Sequence, residues 1–293
     1  MTTFLTICIA LVVAFIVYRI FFGDQTPQID PEEFEKELRM VDEVVQRNVL
    51  ESIRILPGTT SPAGSQSSKF GGYPIWPNKL EYPVDKKNKP LRLLAQFNLS
   101  ELPENGFLPK VGILQFFISD QGSLGLEYES KGRSINDIIE APTEYRVFYH
   151  KTVDESFRDL EGEYPLGKKV IFPFKGEYSL SFLAEDSEPS PTDYRFEKII
   201  GDTDDLHDDT MDALFEKYDS SGCKLGGYAN FTQDDPRLAM ENEQWLLLFQ
   251  MDTVTANGVD IMWGDAGVAN FFIRPKDLEK EHFSETWFNW DCC

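Results

Sequence analysis

The sequence has little histidine and few of the motifs by which enzymes are usually recognised. Its three histidines, His150, His207 and His282, stand more than fifty residues apart and show no metal-ligand spacing. The signatures GxSxG, GxGxxG and HExxH and the phosphate-binding Walker loop are absent. The sequence therefore predicts no metal site and no cofactor, and it argues against an enzyme centred on histidine.

Cysteine is equally sparse. Cys8, Cys223 and the adjacent pair Cys292 and Cys293 are the only four in 293 residues, and none forms a CxxC motif. Neighbouring cysteines bridge one another only under strain, so neither a disulfide framework nor a zinc site is indicated. This usage fits a reducing compartment.

Basic residues are outnumbered, with 28 Lys and Arg against 50 Asp and Glu and a formal net charge of −22. Nucleic-acid binding depends on Lys and Arg neutralising phosphates, so nucleic acid is disfavoured as a partner. An acidic surface can recruit a basic protein partner, or it can simply be a solvated surface that keeps the chain soluble. The 41% hydrophobic and 13% aromatic residues suffice for a core.

One long hydrophobic run stands at the N-terminus, where Phe4 to Phe22 contains a single charge, Arg19. At 1.5 Å per residue this run spans roughly 28 Å, which predicts a single membrane-spanning anchor at residues 1–23 and a linker at 24–30. A cleaved signal peptide is the alternative, but no basic residue precedes the run and no small-x-small site follows it. Lys36 and Arg39 join Arg19 on the C-terminal side, which favours a cytoplasmic body.

An amphipathic helix is predicted after the linker. Asp30 is a cap residue, Pro31 suits the first helical position, and apolar residues recur at three- and four-residue steps through Val49. We expect this helix to extend to about residue 52 and to pack on its own domain, although a stalk or a partner-binding helix would show the same pattern.

Three sequence blocks occur twice in the same order. Lys69-Phe-Gly-Gly-Tyr returns as Lys224-Leu-Gly-Gly-Tyr, 155 residues later. The second block, Leu93-Leu-Ala-Gln-Phe, is answered by Leu247-Leu-Phe-Gln-Met, and the third, Gly112-Ile-Leu-Gln-Phe-Phe-Ile, by Gly267-Val-Ala-Asn-Phe-Phe-Ile. The spacing predicts an internal duplication, with each copy opening on a Gly-Gly turn and closing on a buried strand.

The fold class predicted from these patterns is α+β, internally duplicated and mostly antiparallel sheet, with a docked N-terminal helix after one transmembrane helix. Strand-like runs at 91–99, 112–118, 145–151, 169–174 and 178–183 are separated by Pro, Gly and charges. The predicted halves cover about 53–184 and 213–293 and are joined by an acidic segment, 185–212. Six aspartates crowd the last part of that segment, residues 202–212. A calcium loop is one interpretation, but a helix beginning at Asp208 explains them better.

The second half offers the candidate site residues. Polar groups follow its Gly-Gly turn, and a glycine-bounded turn that is not shared with the first half precedes its last repeated block. A ligand or partner site is one interpretation; a core tryptophan, a turn-stabilising aspartate and a local Asp-Arg ion pair are the structural alternative. The candidate residues are Tyr228, Gln233, Asp235, Arg237, Trp263 and Asp265.

These segments resemble the YwqG-like family, also called DUF1963. The resemblance rests on Lys69-Phe-Gly-Gly-Tyr-Pro-Ile-Trp-Pro, Leu225-Gly-Gly-Tyr-Ala-Asn-Phe-Thr-Gln-Asp-Asp-Pro-Arg, Met262-Trp-Gly-Asp-Ala-Gly and Phe288-Asn-Trp-Asp-Cys, and it covers residues 31–293. It implies a duplicated α+β fold of mostly bacterial cytoplasmic proteins without an established activity. Occurrence of some relatives near toxin genes suggests an immunity role. Cys223 stands where the family is expected to have His, which puts any role of that His in doubt.

We therefore expect a membrane-anchored, non-enzymatic module that binds a protein partner through its acidic surface, with immunity against a basic toxin as one form of this function. A small-ligand binder or hydrolase that uses the second-half loops is the alternative. In that alternative Asp265 would act as a base, Arg237 would grip an anion, and Asp235, Arg237, Trp263 and Asp265 would converge on one pocket.

Overall fold

The computed structural model describes residues 29–127, 134–160, 171–240 and 243–292. The helices are α1 (Pro31–Val45), α2 (Ile135–Glu140), α3 (Arg195–Ile200), α4 (Asp208–Lys217) and α5 (Pro275–Glu279). The strands are β1 (Leu50–Gly58), β2 (Lys69–Gly71), β3 (Ile75–Pro77), β4 (Arg92–Asn98), β5 (Ile113–Ile118), β6 (Tyr145–His150), β7 (Phe157–Asp159), β8 (Glu177–Ser187), β9 (Lys224–Gly226), β10 (Leu246–Asp252), β11 (Val254–Ala256), β12 (Val259–Ile261), β13 (Val268–Ile273) and β14 (Thr286–Asp291).

Ten of these strands form one antiparallel sheet in the order β14-β13-β10-β9-β1-β8-β2-β4-β5-β6. The long strands β1 and β8 pair at the centre, from Leu50 opposite Ser187 to Gly58 opposite Ser179. Two small two-stranded sheets, β3-β7 and β11-β12, complete the strand content. A mostly antiparallel sheet with few helices, as the sequence predicts, is therefore confirmed.

The central β1–β8 pair has two flanks, β2-β4-β5-β6 on one side and β9-β10-β13-β14 on the other. The repeated residues pair in the same register on both flanks. Lys69 on β2 lies opposite Gln96 on β4, and Lys224 on β9 lies opposite Gln250 on β10. A register shift interrupts β4 between Leu93 and Ala95, and the same shift interrupts β10 between residues 247 and 249. The repeated sequence blocks therefore occupy equivalent positions on either side of the central β1–β8 pair.

Buried amide side chains repeat the same hydrogen bonds on both flanks. Gln96 Nε2 donates to the carbonyl oxygens of residues 65 and 67, at 2.8 and 3.0 Å. Gln250 Nε2 donates to those of residues 220 and 222, at 2.9 and 2.8 Å. The Oε1 atoms accept from the N–H groups of Ile75 (3.2 Å) and Asn230 (2.8 Å). Each glutamine thus ties its strand to the loop before the Gly-Gly turn and to the segment after it.

The Gly-Gly turns require glycine. Gly226 and Gly227 have φ angles of +72° and +78°, a region that residues with a side chain rarely adopt. A Cβ on Gly227 would lie 2.6 Å from the Cβ of Ser187 on β8. The turn can therefore approach the central strands closely only because position 227 has no side chain.

A single aromatic core joins the two flanks. Phe97 lies 5.0 Å from Phe249 between ring centroids, and Phe116 lies 4.8 Å from Phe271. Phe271 in turn contacts Phe288 on β14 at 4.4 Å. Because each of the first two pairs takes one ring from each flank, the two flanks contribute side chains to the same hydrophobic core.

Helices α1, α3 and α4 form a layer with its own small core. Val41, Val45, Phe196, Leu214 and Tyr218 are all buried there. Asp30 caps α1 by accepting from the N–H of residue 32 at 2.9 Å, and α4 spans nearly the range predicted from its aspartates. This helical layer, defined by α1, α3 and α4, is rich in exposed acidic residues.

Three local predictions need correction. Helix α1 ends at Val45 and not near residue 52, because residues 50–58 pair as β1 with strands on both sides. The run at 169–174 begins outside the described residues, and Phe174 makes only an isolated bridge to Ile261. The short helix α2 was missed, although Ser134 and Asp137 form a capping box at its start.

The predicted anchor at residues 1–23 lies outside the described residues, as does most of the linker. Within residues 29–127, 134–160, 171–240 and 243–292, no helix combines the length and apolar character that a bilayer crossing requires.

Candidate functional site

Two of the predicted site residues, Asp235 and Arg237, belong to a buried ion-pair network. The Arg237 guanidinium donates to Asp235 Oδ2 at 2.6 Å and to Asp193 Oδ2 at 2.8 Å. Its Nη1 donates to the carbonyl oxygen of Trp245 at 3.1 Å, and only 1% of the side chain is exposed. Every described contact of this guanidinium is internal, so it fixes a loop and is not presented to a ligand.

Asp193 is the centre of this network, and the sequence analysis did not single it out. It accepts from Arg237, from Arg195 Nη2 at 2.7 Å and from the N–H of Ala229 at 3.0 Å. Burial alone would raise the pKa of Asp193, but Arg237 and Arg195 hold it well below its ordinary range. The network therefore contains two carboxylates and two guanidiniums, a balanced set that can be buried without a net charge.

Tyr228 is a structural residue in the same region. Its hydroxyl donates to the carbonyl oxygen of Asn48 at 2.6 Å, and the Arg195 guanidinium lies over its ring at 4.3 Å. Its backbone N–H donates to Ser187 Oγ at 3.0 Å. Tyr228 therefore joins the second Gly-Gly turn to the connection between α1 and β1.

Trp263 and Asp265 share a tight turn but differ in exposure. Trp263 is fully buried and packs against Trp290, with ring centroids 5.9 Å apart. The turn closes when the N–H of Gly267 donates to the carbonyl oxygen of Trp263 at 2.7 Å, leaving Asp265 exposed to solvent. Asp235 and Arg237 pack in a different cluster, so the structure does not bring the four residues of the hydrolase alternative around one pocket.

Gln233 lies at a cleft beside the last strand. Its N–H and that of Thr232 donate to Asp291 Oδ2 at 2.6 and 2.8 Å, and its side-chain amide donates to the carbonyl oxygen of Cys292 at 2.7 Å. The cleft has a volume of about 340 Å³. We call it the Asp291 cleft; it is lined by Leu126, Gln233, Asp234, Pro236, Asn289, Trp290, Asp291 and Cys292.

A second concave surface lies on the helical layer, between α1 and the segment that follows α3. It has a volume of about 380 Å³. Its apolar side chains are Met40, Ile200 and Leu206, and the first of these is 52% exposed. We call it the acidic groove; it is lined by Glu33, Lys36, Glu37, Met40, Ile200, Asp202, Asp205 and Leu206.

Carboxylates surround the apolar part of the acidic groove, with Lys36 as the single basic lining residue. Glu37 is held within the layer, where it accepts from Thr210 Oγ1 at 2.5 Å. Glu33, Asp202 and Asp205 are exposed at the rim. Further exposed acidic residues continue from the groove onto the surface of α4 at Asp208, Asp209, Asp212 and Glu216.

Three aspartates near α4 lie where they stabilise the beginning of a helical turn. Asp202 accepts from the N–H of Asp204 at 3.1 Å, and Asp208 and Asp209 occupy the first turn of α4, where their charge suits the helix dipole. Over the parts of the chain that the structure describes, no group of three or more His, Cys, Asp or Glu side chains is placed to hold a metal ion.

The fold and these surfaces define a β-rich protein whose prominent surface features are an acidic groove on a helical layer and a polar cleft at the last strand. Residues 68–292 match a family model described as a domain of unknown function, DUF1963. Because this match covers most of the chain, the protein belongs to the DUF1963 family, as the resemblance predicted. A search of curated proteins finds no match.

Proposed function

We propose that the protein is a binding module that receives a basic, amphipathic segment of a protein partner in the acidic groove. The observation that carries this proposal is the arrangement of one exposed apolar side chain, Met40, and two partly buried ones, Ile200 and Leu206, between carboxylates on one concave surface. An apolar floor supplies the burial that association needs, and the charged rim supplies specificity and a fast encounter rate.

The chemistry of the groove defines its partner. Met40 is flexible and unbranched, so it can adapt to the apolar side chains of an incoming segment. Glu33, Asp202 and Asp205 would then face Lys or Arg side chains at the edges of that segment. A helix with a narrow apolar stripe and basic flanks fits this pattern, because such stripes present residues at i, i+3 and i+4.

The predicted membrane anchor would place the acidic groove close to a membrane. Helix α1, which supplies four groove residues, begins at Pro31, immediately after the predicted linker. A partner held in the acidic groove would therefore lie close to the membrane surface, on the cytoplasmic side if the predicted orientation holds. Neutralisation of a basic toxin is one form that this function would take.

The binding module is also proposed to be a product of internal duplication. The support is the recurrence of register, register shift and glutamine hydrogen bonds on both flanks of the sheet. Helices α3 and α4 of the acidic helical layer lie between the two flanks in the chain, and α1 precedes the first flank. None of the repeated sequence blocks includes these helices. We infer that the acquired function resides in this layer.

A charge-matched comparison tests the proposal. The full-length chain in neutral-lipid nanodiscs would be used to capture proteins at low salt, with a groove variant that combines Glu33→Lys, Asp202→Lys and Asp205→Lys. The control combines Glu104→Lys, Asp260→Lys and Glu279→Lys, three exposed acidic residues outside the groove that give the same net charge.

We expect a partner that the wild type and the control retain, that the groove variant loses, and that is released between 50 and 500 mM salt as screening increases. If the groove variant and the control capture the same proteins, the acidic groove is not the binding surface.

A further inference from the structure

A small apolar pocket lies at the second Gly-Gly turn, and the proposed function does not use it. Its volume is about 260 Å³. The acidic groove and the Asp291 cleft are lined by other residues. We call it the Phe107 pocket; its apolar lining comes from Leu50, Phe107, Gly226, Leu246, Leu247 and Leu278.

The pocket arises where β9 ends. This short strand pairs with β1 on one side and β10 on the other, and its last residue, Gly226, lies opposite Ser52. Beyond Gly226 the chain turns away, and the ends of β1 and β10 line the space that it leaves. The ring of Phe107 fills part of this space, since a Cβ on Gly226 would lie 2.8 Å from Phe107 Cζ. The remainder is the pocket.

The other flank of the sheet contains an equivalent gap. Strand β2 pairs with β8 and β4 and ends at Gly71, in the first Gly-Gly turn. Arg92 on β4 lies opposite Ile118, and Leu246 on β10 lies opposite Ile273, the corresponding residue of the repeated block. Arg92 is therefore the positional equivalent of Leu246, and the space beside it is the equivalent of the Phe107 pocket.

Two aromatic rings occupy that equivalent space. A Cβ on Gly71 would lie 2.6 Å from Phe174 Cε2, so Phe174 packs on the first Gly-Gly turn as Phe107 packs on the second. The ring of Phe172 lies 5.1 Å from that of Phe174, and the Arg92 guanidinium lies over it at 4.8 Å. On the second flank, the position that corresponds to Phe172 falls in the Phe107 pocket. The molecule itself therefore shows that an aromatic ring fits such a gap.

We propose that the Phe107 pocket binds a phenylalanine side chain from a segment of a protein partner. The incoming ring would pack against Phe107 and Leu246. Phe172 makes the same kind of contact with Phe174 on the other flank. Burial of the ring would supply the free energy of binding, and the aromatic contact would add to it. A dry cavity of about 150 Å³ accommodates benzene, so the volume of the Phe107 pocket suffices for a phenyl ring.

The surroundings of the pocket favour a side chain over a free hydrocarbon. Glu51 and Gly106, which also line the pocket, are exposed, and Leu50, Leu246 and Leu278 are half-buried. A ring can therefore enter from solvent while the backbone that carries it stays outside. Glu51 Oε2 accepts from the N–H of Gly106 at 2.8 Å, so this rim is fixed before binding.

Peptide probes test the site on the full-length chain in neutral-lipid nanodiscs, with empty nanodiscs as the blank. The probe is acetyl-Ala-(4-fluoro-Phe)-Ala-amide, followed by fluorine NMR. We expect saturable line broadening and displacement by acetyl-Ala-Phe-Ala-amide. Displacement by acetyl-Ala-Ala-Ala-amide should be at least tenfold weaker, because this peptide lacks the ring. Broadening that does not saturate, or equal displacement by the two peptides, would overturn the proposal.

A filling variant tests the location of the site. Leu246→Trp places a ring inside the pocket and should weaken probe binding at least tenfold. Leu183→Trp, at an exposed leucine on β8, is the control and should bind the probe as the wild type does. Thermal unfolding shows whether each variant is folded, and unchanged binding by a folded Leu246→Trp variant would refute the site.

A pair of charged variants at the same position tests the equivalence of the two flanks, and it decides the matter if Leu246→Trp does not fold. Leu246→Arg reproduces the arrangement of Arg92, so probe binding should tighten two- to fivefold, the scale of an exposed cation–π contact. Leu246→Glu should weaken binding, because a carboxylate repels the negative face of the ring. Loss of binding in Leu246→Arg, or equal binding by the two variants, would contradict the proposal.

Phenylacetamide distinguishes a free small molecule from a protein side chain. It carries the ring without the flanking peptide groups, so we expect it to compete more weakly than acetyl-Ala-Phe-Ala-amide. Equal or tighter competition by phenylacetamide would assign the pocket to a small aromatic molecule and overturn its assignment to a protein partner.

Discussion

Gln96 and Gln250 make matching hydrogen bonds on opposite flanks of one sheet. Each is fully buried, donates to two loop carbonyls and accepts from one backbone N–H group. A buried glutamine with these bonds closes the loop before each Gly-Gly turn.

Replacing either glutamine with leucine should destabilise the protein to a similar extent. Gln96→Leu and Gln250→Leu both leave buried carbonyl and N–H groups without partners, which costs on the order of 3 kcal/mol in the free energy of unfolding. Urea titration measures this loss. Gln46→Leu, at an exposed position after α1, is the control and should change the free energy of unfolding by less than about 0.5 kcal/mol. A large loss for one glutamine only would show that the two flanks are not energetically equivalent.

The buried network should be intolerant of losing one charge. Arg237→Met leaves Asp193 and Asp235 buried beside a single remaining guanidinium, that of Arg195, and we expect a loss of about 3–5 kcal/mol. Chemical denaturation provides the measurement. Arg47→Met, at an exposed arginine in the turn after α1, should be nearly neutral. A stable Arg237→Met variant would mean that the network contributes little.

Stability should fall as the pH is lowered towards 4, in part because of His150. Burial lowers its pKa to about 4, from the ordinary value of 6.5. The unfolded chain therefore binds a proton that the folded chain does not, so the contribution of His150 is fully present above pH 6.5 and is lost as the pH falls from 6.5 to 4.

Comparison of His150→Gln with the wild type checks this dependence through denaturation midpoints between pH 7 and pH 4. The variant should show a shallower decline than the wild type. His282→Gln, at an exposed position, should retain the wild-type slope. Equal slopes for the wild type and His150→Gln would refute the role of His150.

Alanine at Gly227 should be far more costly than alanine at another glycine of similar backbone conformation. Gly227→Ala combines a positive φ with a 2.6 Å approach to the Ser187 side chain, so we expect a loss above about 2 kcal/mol. Gly176 has a φ of +81° but open space around it, and Gly176→Ala should cost only the conformational strain, about 1–2 kcal/mol. Equal losses in thermal or urea unfolding would show that contact with β8 is unimportant.

The repeated sequence blocks predicted most of the sheet. They located the Gly-Gly turns, the glutamines and the buried strands β4, β5, β10 and β13, because buried strands of this kind are encoded by short local patterns. The end of α1 was wrong because Val49 continues a helical spacing while its neighbours pair with β8 and β9. That pairing is a tertiary effect that local periodicity does not contain.

The candidate sites were less predictable than the fold. Asp235 and Arg237 lie two residues apart in the sequence, but their partner Asp193 is 44 residues away from Arg237, and nothing local indicates that it is buried. Asp291 belongs to the Asn-Trp-Asp-Cys segment that carried the family resemblance, so that segment and the candidate residue Gln233 were the sequence signals for the cleft. The acidic groove depends on packing between α1 and α3, and only the folded chain shows which acidic residues flank an apolar surface.

Strand β1 is the first strand of the described residues, yet it lies in the middle of the sheet and pairs with β8 on one side and β9 on the other. A pulling force applied at the N-terminal end would therefore act on a central strand of the sheet and not on an edge strand. If the preceding segment is tethered to a membrane, tension on a captured partner would be transmitted to β1, the strand at which the two flanks of the sheet meet.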